Sequence, residues 1–454
     1  MDIAGKRILI VGLGKTGEAV ANFLLSRGVS VTVSEIKSAE ELGGKARFWT
    51  EMGATVETGK HDLRSFLKAD IIVPSPGAAS LPELQVARKA GIKIISEIEL
   101  AFHFLKGRIV GITGTNGKST TATLACKILK EAGLKAYLAG NIGTPLISFV
   151  DKSGADHIYV TEISSFQLEH IDRFKPDIAV FLNVSLNHLD WHASFADYYG
   201  TKKKLVLSQG KEDTAILNRD DRLVWTLAKK VNPKIYAFSS QNEVGRGCFL
   251  KEGWIVLRDK KEVRLLRASD VPLPGLHNQE NVMAAALVGH CLGVSPREMR
   301  SSVKSFTGLE HRLEKVLTLR RVDFINDSKA TTVDATIKAL RSFDKRIILI
   351  LGGRDKGADF TQLRRPVREK VKKVILLGEA KEKIRSGLRR AVPIEDAASL
   401  REAVALSFAT AAPGEMVLLA PACTSFDMFK NFEARGRAFK KEVRRLQERV
   451  QEKT

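Results

Sequence analysis

The run Val110-Gly-Ile-Thr-Gly-Thr-Asn-Gly-Lys-Ser-Thr-Thr121 constrains this chain more than any other stretch, because a short apolar strand passes through a glycine turn straight into a helix. Gly114 and Gly117 let the backbone curl so that successive N–H groups point inward, and the helix that follows adds the positive end of its dipole. Such a turn holds phosphate. Lys118 then reaches the terminal phosphates of a nucleoside triphosphate, and the hydroxyl of Ser119 or Thr120 serves Mg²⁺. The pattern G-x-x-x-x-G-K-[ST] asks for glycine at 112, where this chain has Ile112 with glycines at 111 and 114, so the run is read as a P-loop variant. The competing reading, an ordinary glycine turn between strand and helix, leaves one lysine and two hydroxyls without a reason.

At 454 residues the chain is too long for one core, and about three domains are expected. No apolar run has the length to cross a bilayer, and Met1 to Lys6 shows no signal-peptide pattern, so no membrane span is expected. Cys126, Cys248, Cys291 and Cys423 are scattered, without a C-x-x-C pair or a histidine cluster at zinc spacing. That favours a reducing, cytoplasmic setting and argues against a structural metal. The net charge of +21 raises nucleic acid as a partner. The basic residues are spread along the chain, however, except in the last helix, where Lys430, Arg435, Arg437, Lys440, Lys441, Arg444, Arg445 and Arg449 alternate with acids and apolar residues. With no aromatic-basic ladder, the preferred reading is a solvated basic face that also attracts polyanionic small substrates, with no nucleic-acid partner.

Read in order, the chain is α/β in three domains. Residues 1–97 alternate strand and helix: Arg7–Val11, the turn Gly12-Leu-Gly-Lys-Thr-Gly17, a helix to Arg27, and a strand from Val29 ending near Glu35. This is the G-x-G-x-x-G fingerprint of a Rossmann-like fold, with an acid placed to take a ribose hydroxyl. Alone it suggests a nicotinamide-dependent dehydrogenase, yet the turn specifies only a diphosphate and a sugar, so a nucleotide-sugar fits equally well. Residues 98–308 form a P-loop, parallel-sheet domain. Its strand tips deliver Asn141 in the loop Ala139–Gly143, Glu162 at the carboxyl end of the strand His157–Ile163, and Asn183, with His188 just beyond, from the strand Asp177–Val184. Ligands bind at the carboxyl ends of parallel strands, so Lys118, Glu162 and His188 are expected to converge on a Mg²⁺-nucleotide site. Residues 309–454 are a second Rossmann-like alternation, with polar loops Asn326–Thr331, Gly352–Gly357 and Pro421–Ser425 at its strand ends.

Together, Gly114–Thr120, Glu162–Glu169, Asn183–Asp190, Leu273–Asn278 with Asn281, His311-Arg312 and Asn326–Thr331 resemble the muramyl ligase family over essentially the whole chain. The resemblance implies ATP-driven amide-bond formation in peptidoglycan precursor synthesis. The γ-phosphate passes to the alanyl carboxylate of UDP-N-acetylmuramoyl-L-alanine, and the amine of D-glutamate attacks the acyl phosphate. Two anions must meet, which calls for Mg²⁺, Lys and Arg around them.

The resemblance also implies roles for named residues. Domain 1–97 binds the UDP-sugar through Lys15, Thr16, Glu35 and Ser75, with Asn141 and Gln167 from the next domain. Domain 98–308 binds ATP through Gly114, Thr115, Asn116, Gly117, Lys118, Ser119, Thr120 and Asn281, with Arg312 and Asp327 from domain 309–454. That last domain holds D-glutamate through Lys329, Thr331, Lys356, Ser425 and Phe432. Lys118, Glu162, His188 and Lys202 are the expected catalytic set, and Ser119, Glu162, His188 and a carbamylated Lys202 serve two Mg²⁺ ions. Lys203 competes with Lys202 by one register. Only a neutral amine captures CO₂, and the run Lys202-Lys203-Lys204 lowers each one's proton affinity by mutual repulsion. A monomer is expected. A ligase for another amino acid, the dehydrogenase and a basic nucleic-acid-binding NTPase are the rival readings.

Overall fold

In the computed structural model, the described residues are 1–78, 81–185, 192, 194–355 and 357–452. The chain divides into two compact units, Met1–Asp270 with Gln279–Lys304, and Val271–Asn278 with Ser305–Thr454.

The first unit carries two sheets. The N-terminal one consists of β1 (Arg7–Val11), β2 (Ser30–Glu35), β3 (Thr55–Thr58), β4 (Ile71–Pro74) and β5 (Lys93–Ile94), ordered β3-β2-β1-β4-β5 with every pairing parallel. Ile8, Leu9, Ile10 and Val11 are all buried, because helices cover both faces and alternation has no solvent side to serve. Each such side chain contributes about 1.5–3 kcal/mol of burial.

The central sheet has β6 (Arg108–Thr113), β7 (Ala136–Gly140), β8 (Ile158–Glu162), β9 (Ile178–Phe181), β10 (Thr214–Asn218), β11 (Lys234–Ser239), β12 (Gly247–Lys251), β13 (Trp254–Arg258) and β14 (Glu262–Arg267), in the order β14-β13-β12-β11-β10-β9-β6-β8-β7. Pairing is parallel from β7 across to β12 and antiparallel through β13 and β14. That antiparallel edge was not part of the sequence reading. It is closed by a tight hairpin in which Glu252 and Gly253 take φ of +51° and +74°, the left-handed pair that matches strand twist. The expected strand beyond Asp177 stops at Phe181, because Asn183 leaves the ladder to bind the glycine loop. β6 lies between β9 and β8, so the chain winds away from it in both directions and a crevice opens at its carboxyl end.

The second unit holds β15 (Glu314–Leu319), β16 (Val322–Asn326), β17 (Ile347–Gly352), β18 (Val371–Leu377), β19 (Ile394–Asp396) and β20 (Met416–Leu419), in the order β15-β16-β20-β17-β18-β19. Only β15–β16 is antiparallel. β17, Ile347–Gly352, is buried along its whole length.

Candidate active site

The glycine loop follows β6 and opens the helix Lys118–Glu131. Registers of Ile112 with Glu162 and Thr113 with Phe181 bring three strand tips level. Gly117 is required there: its φ is +85°, and a Cβ on it would stand 2.2 Å from Oδ1 of Asn281. Asn281 also accepts the Thr121 hydroxyl at 3.2 Å, so it braces the loop from below. Asn183 braces it from the side. Its carbonyl accepts the Thr115 N–H at 2.9 Å, its Oδ1 accepts the Asn116 N–H at 2.9 Å, and its Nδ2 donates to the Asn116 carbonyl at 3.2 Å.

Two lysines converge on this loop. Nζ of Lys118 donates to the carbonyls of Gly114 at 2.9 Å and Thr115 at 3.1 Å. Nζ of Lys202, from the helix Phe195–Leu207, donates to the same Gly114 carbonyl at 2.9 Å. Lys202 is 1% exposed, and burial drives its proton affinity well below that of an ordinary lysine, helped by Lys118 and opposed by Glu162. The expected cause, repulsion within Lys202–Lys204, is therefore corrected: burial dominates, and the neighbouring charge is Lys118. Lys203 instead lies over the Tyr199 ring.

Glu162 is buried at the tip of β8; Oε1 accepts from Asn141 at 2.8 Å, and Oε2 is buried with no hydrogen-bond partner among the described residues. A carboxylate oxygen sealed from water and unpaired costs several kcal/mol unless a cation meets it. Ser119 and Thr120 are buried on the helix's first turn. Among the described residues no three His, Cys, Asp or Glu side chains gather, but Mg²⁺ bound with a nucleotide draws most of its oxygens from phosphate and water and needs few from protein. One unpaired carboxylate oxygen and two hydroxyls beside the phosphate loop fit that ion. His188 and Lys356 lie outside the described residues.

In the first sheet, Lys15, Thr16, Glu35 and Ser75 line a hollow of about 440 Å³. Glu35 turns out to serve the backbone: its oxygens accept the N–H groups of Leu13 at 2.6 Å and Lys37 at 3.1 Å. Lys15 reaches the Gly143 carbonyl, and Ser75 Oγ donates to the Gly12 carbonyl at 3.1 Å. Gln167, 4% exposed, caps its own helix, its Oε1 accepting the N–H and hydroxyl of Ser164.

The second unit gathers its loops differently. The buried Asp327 carboxyl is pushed up to about 6 by burial, partly offset by Arg312, the Leu313 N–H and Lys329. Nζ of Lys329 sits 5.5 Å from the Phe432 ring centre, Ser425 is buried, and Thr331 is half-buried in the same loop as Lys329. The sequence reading missed Arg435, which it placed on a solvated face. Arg435 is 2% exposed, and its guanidinium donates to Ser328 Oγ at 3.0 Å and to the carbonyls of Ser328, Cys423 and Thr424 at 2.9, 3.1 and 3.2 Å. It stitches together the loops that follow β16 and β20. Lys440, also assigned to that face, is paired with Glu310 and Glu314.

Three domain profiles match the chain: a Mur ligase MurD-like N-terminal domain over residues 6–96, a Mur ligase middle domain over 112–289, and a Mur ligase glutamate ligase domain over 311–423. The chain is 47% identical to the UDP-N-acetylmuramoylalanine–D-glutamate ligase of Koribacter versatilis, covering 99% of each, and 46% identical to that of Acidobacterium capsulatum, covering 97% and 96%. Among solved structures it is similar in fold to the UDP-N-acetylmuramate-alanine ligase of Thermotoga maritima, with a TM-score of 0.61, 17% identity, and coverage of 97% and 99%. A pseudomurein peptide ligase from Methanothermus fervidus gives a TM-score of 0.59, 20% identity, and coverage of 97% and 100%.

Proposed function

The chain belongs to the Mur ligase family, and from that premise we propose that it joins D-glutamate to UDP-N-acetylmuramoyl-L-alanine at the expense of ATP, in peptidoglycan precursor synthesis. Residues 1–97 take the UDP-sugar, 98–308 take ATP, and 309–454 take the amino acid. The observation that carries the site assignment is the shared Gly114 carbonyl, where Lys118 and Lys202 meet and where the charge of Glu162 acts on Lys202.

The loop N–H groups and the helix dipole hold the β- and γ-phosphates, and Lys118 leaves its two carbonyls for them. Mg²⁺ supplies charge neutralisation between the triphosphate and the alanyl carboxylate. Ser119, Thr120 and Glu162 would hold one ion; His188 and a carbamylated Lys202 would serve a second. Lys202, buried and short of a proton, is the amine that takes up CO₂: an N–C bond forms, the nitrogen gives up a proton, and a carbamate anion remains. Its place in the loop, against that of Lys203 over Tyr199, supports this register. Asn281 keeps the loop curled while Arg312 and Asp327 take the adenosine end of ATP. Once the alanyl carboxylate has displaced ADP from the γ-phosphate, the D-glutamate amine attacks the acyl carbon and phosphate leaves. Lys329, Thr331, Lys356, Ser425 and Phe432 hold that dianionic amino acid, for which lysines and hydroxyls are the matching chemistry.

The test is product mass. With ATP, Mg²⁺ and UDP-N-acetylmuramoyl-L-alanine, D-glutamate gives a product heavier by one glutamyl residue. L-glutamate, L-lysine and L-alanine give none. A product with one of these in place of D-glutamate overturns the amino-acid assignment.

A further inference from the structure

We propose that His61 selects the uracil base, by presenting a fixed Nε2–H donor to the O4 carbonyl, the position that carries an amino group in cytosine; this rests on the reading of domain 1–97 as the UDP-sugar site.

His61 lines the same hollow as Glu35, Ile36 and Ser75. Its Nδ1 stands 2.8 Å from Oγ of Ser34, which is 0% exposed. A buried hydroxyl needs an acceptor for its hydrogen, and among the described residues Nδ1 of His61 is the one partner within reach of this hydroxyl. Ser34 therefore donates to Nδ1, and the ring proton is left on Nε2. The Phe66 ring, 6.1 Å away and nearly perpendicular, limits the imidazole's swing. Nε2 has no protein partner among the described residues.

Position says which part of a nucleotide meets this donor. A diphosphate sits at the glycine turn after β1. The sheet runs β1, β2, β3, and Glu35 at the tip of β2 is in register with Thr58 at the tip of β3, three residues before His61. His61 is hydrogen-bonded to Ser34 of β2, the strand next to β1, so its ring stands one strand spacing, roughly 5 Å, plus the length of its own side chain to the β3 side of the diphosphate turn, where a ribose and the start of its base would lie. The Glu35 carboxylate already accepts two backbone N–H groups, and the Ser75 hydroxyl donates to Gly12. Ile36 and Leu81 add apolar wall. Uracil carries carbonyls on both sides of its N3–H, whereas cytosine replaces one of them with an amino donor that would oppose Nε2–H. A directional donor thus rejects the wrong base by leaving two donors facing each other.

The experiment measures KM for UDP-N-acetylmuramoyl-L-alanine, and inhibition by UDP and by CDP, for the full-length protein and for His61→Ala, His61→Gln and Ser34→Ala. His61→Ala is expected to raise KM about tenfold with kcat moved less than twofold, and to bring UDP and CDP inhibition close together. His61→Gln, whose amide still donates, recovers most of both. Ser34→Ala, which frees the tautomer, falls between. An unchanged UDP-to-CDP ratio in His61→Ala overturns the inference while leaving the ligase reading intact; should that variant fail to fold by thermal melting, an unchanged ratio in Ser34→Ala does the same. Unmodified protein that is active but inhibited equally by UDP and CDP also overturns it. Unmodified protein that neither binds UDP nor turns over sinks the ligase reading itself.

Discussion

The strand tips of the two units solve opposite problems with the same architecture. Around Gly114 the first unit leaves polar atoms unfilled: among the described residues Glu162 Oε2 has no partner, and Lys202 is buried where a proton is hard to keep. Around Arg435 the second unit fills them, spending a whole guanidinium on loop carbonyls and one hydroxyl. The first arrangement is costly until a charged ligand arrives; the second holds its loops whether or not one does. Substitutions in the first region should therefore remove activity and spare stability, and those in the second should do the reverse first.

Lys118→Ala gives the largest expected effect. Losing the charge on the transferring phosphoryl group should lower kcat by roughly 10²–10³-fold or more, with the melting temperature unchanged within a few degrees; a variant that melts early with residual turnover intact would break the contrast. Next is Arg435→Met. It removes the donor that the carbonyls of Ser328 and Cys423 share, while the Thr424 carbonyl keeps the Arg354 N–H, and should cost about 2–4 kcal/mol in urea unfolding, with KM for D-glutamate rising as the loops loosen. Equal stability to the unmodified protein would show that the stitching does no holding. Lys202→Met should leave stability equal or higher, since a buried amine is replaced by an apolar stem, while turnover collapses. In the unmodified protein, turnover should also fall in CO₂-depleted buffer and return with bicarbonate.

The smallest effect sharpens the contrast outside the phosphate site. Glu97 is buried with Oε1 on the Ile147 N–H and Oε2 without a hydrogen-bond partner among the described residues, and burial pushes its carboxyl up to about 7. The folded state thus holds this proton more tightly than the unfolded one, so its contribution is full below the ordinary carboxyl range and is lost as pH rises from about 4.5 through 7. Glu97→Gln should remove that slope and stabilise the protein at pH 8 by on the order of 1 kcal/mol, read by melting across pH.

Much of this was legible in the chain because the signals are local. The continuous apolar strands Arg7–Val11 and Ile347–Gly352 and the glycine turn at 114–117 need no distant partner to be recognised. What was not legible depends on distant partners. Arg435 looks like any other arginine of its helix until the Ser328 loop, more than a hundred residues earlier, closes around it. Glu35 fits the fingerprint's acid by spacing, yet its oxygens face Leu13 and Lys37, which only the folded turn reveals. The proton affinity of Lys202 was expected from its lysine neighbours, and the larger cause, burial, is a tertiary fact. The antiparallel edge at β12–β14 went unread because its strands are short and bounded by charged turns.

The most direct test of the central claim is ADP release by the purified protein with ATP and Mg²⁺, with each of the other two substrates omitted in turn. Steady release is predicted only when UDP-N-acetylmuramoyl-L-alanine and D-glutamate are both present, and Lys118→Ala should lower it by at least roughly 10²-fold. Release that ignores either substrate, or that survives the loss of Lys118 undiminished, would contradict an amide ligase built on the Gly114 loop.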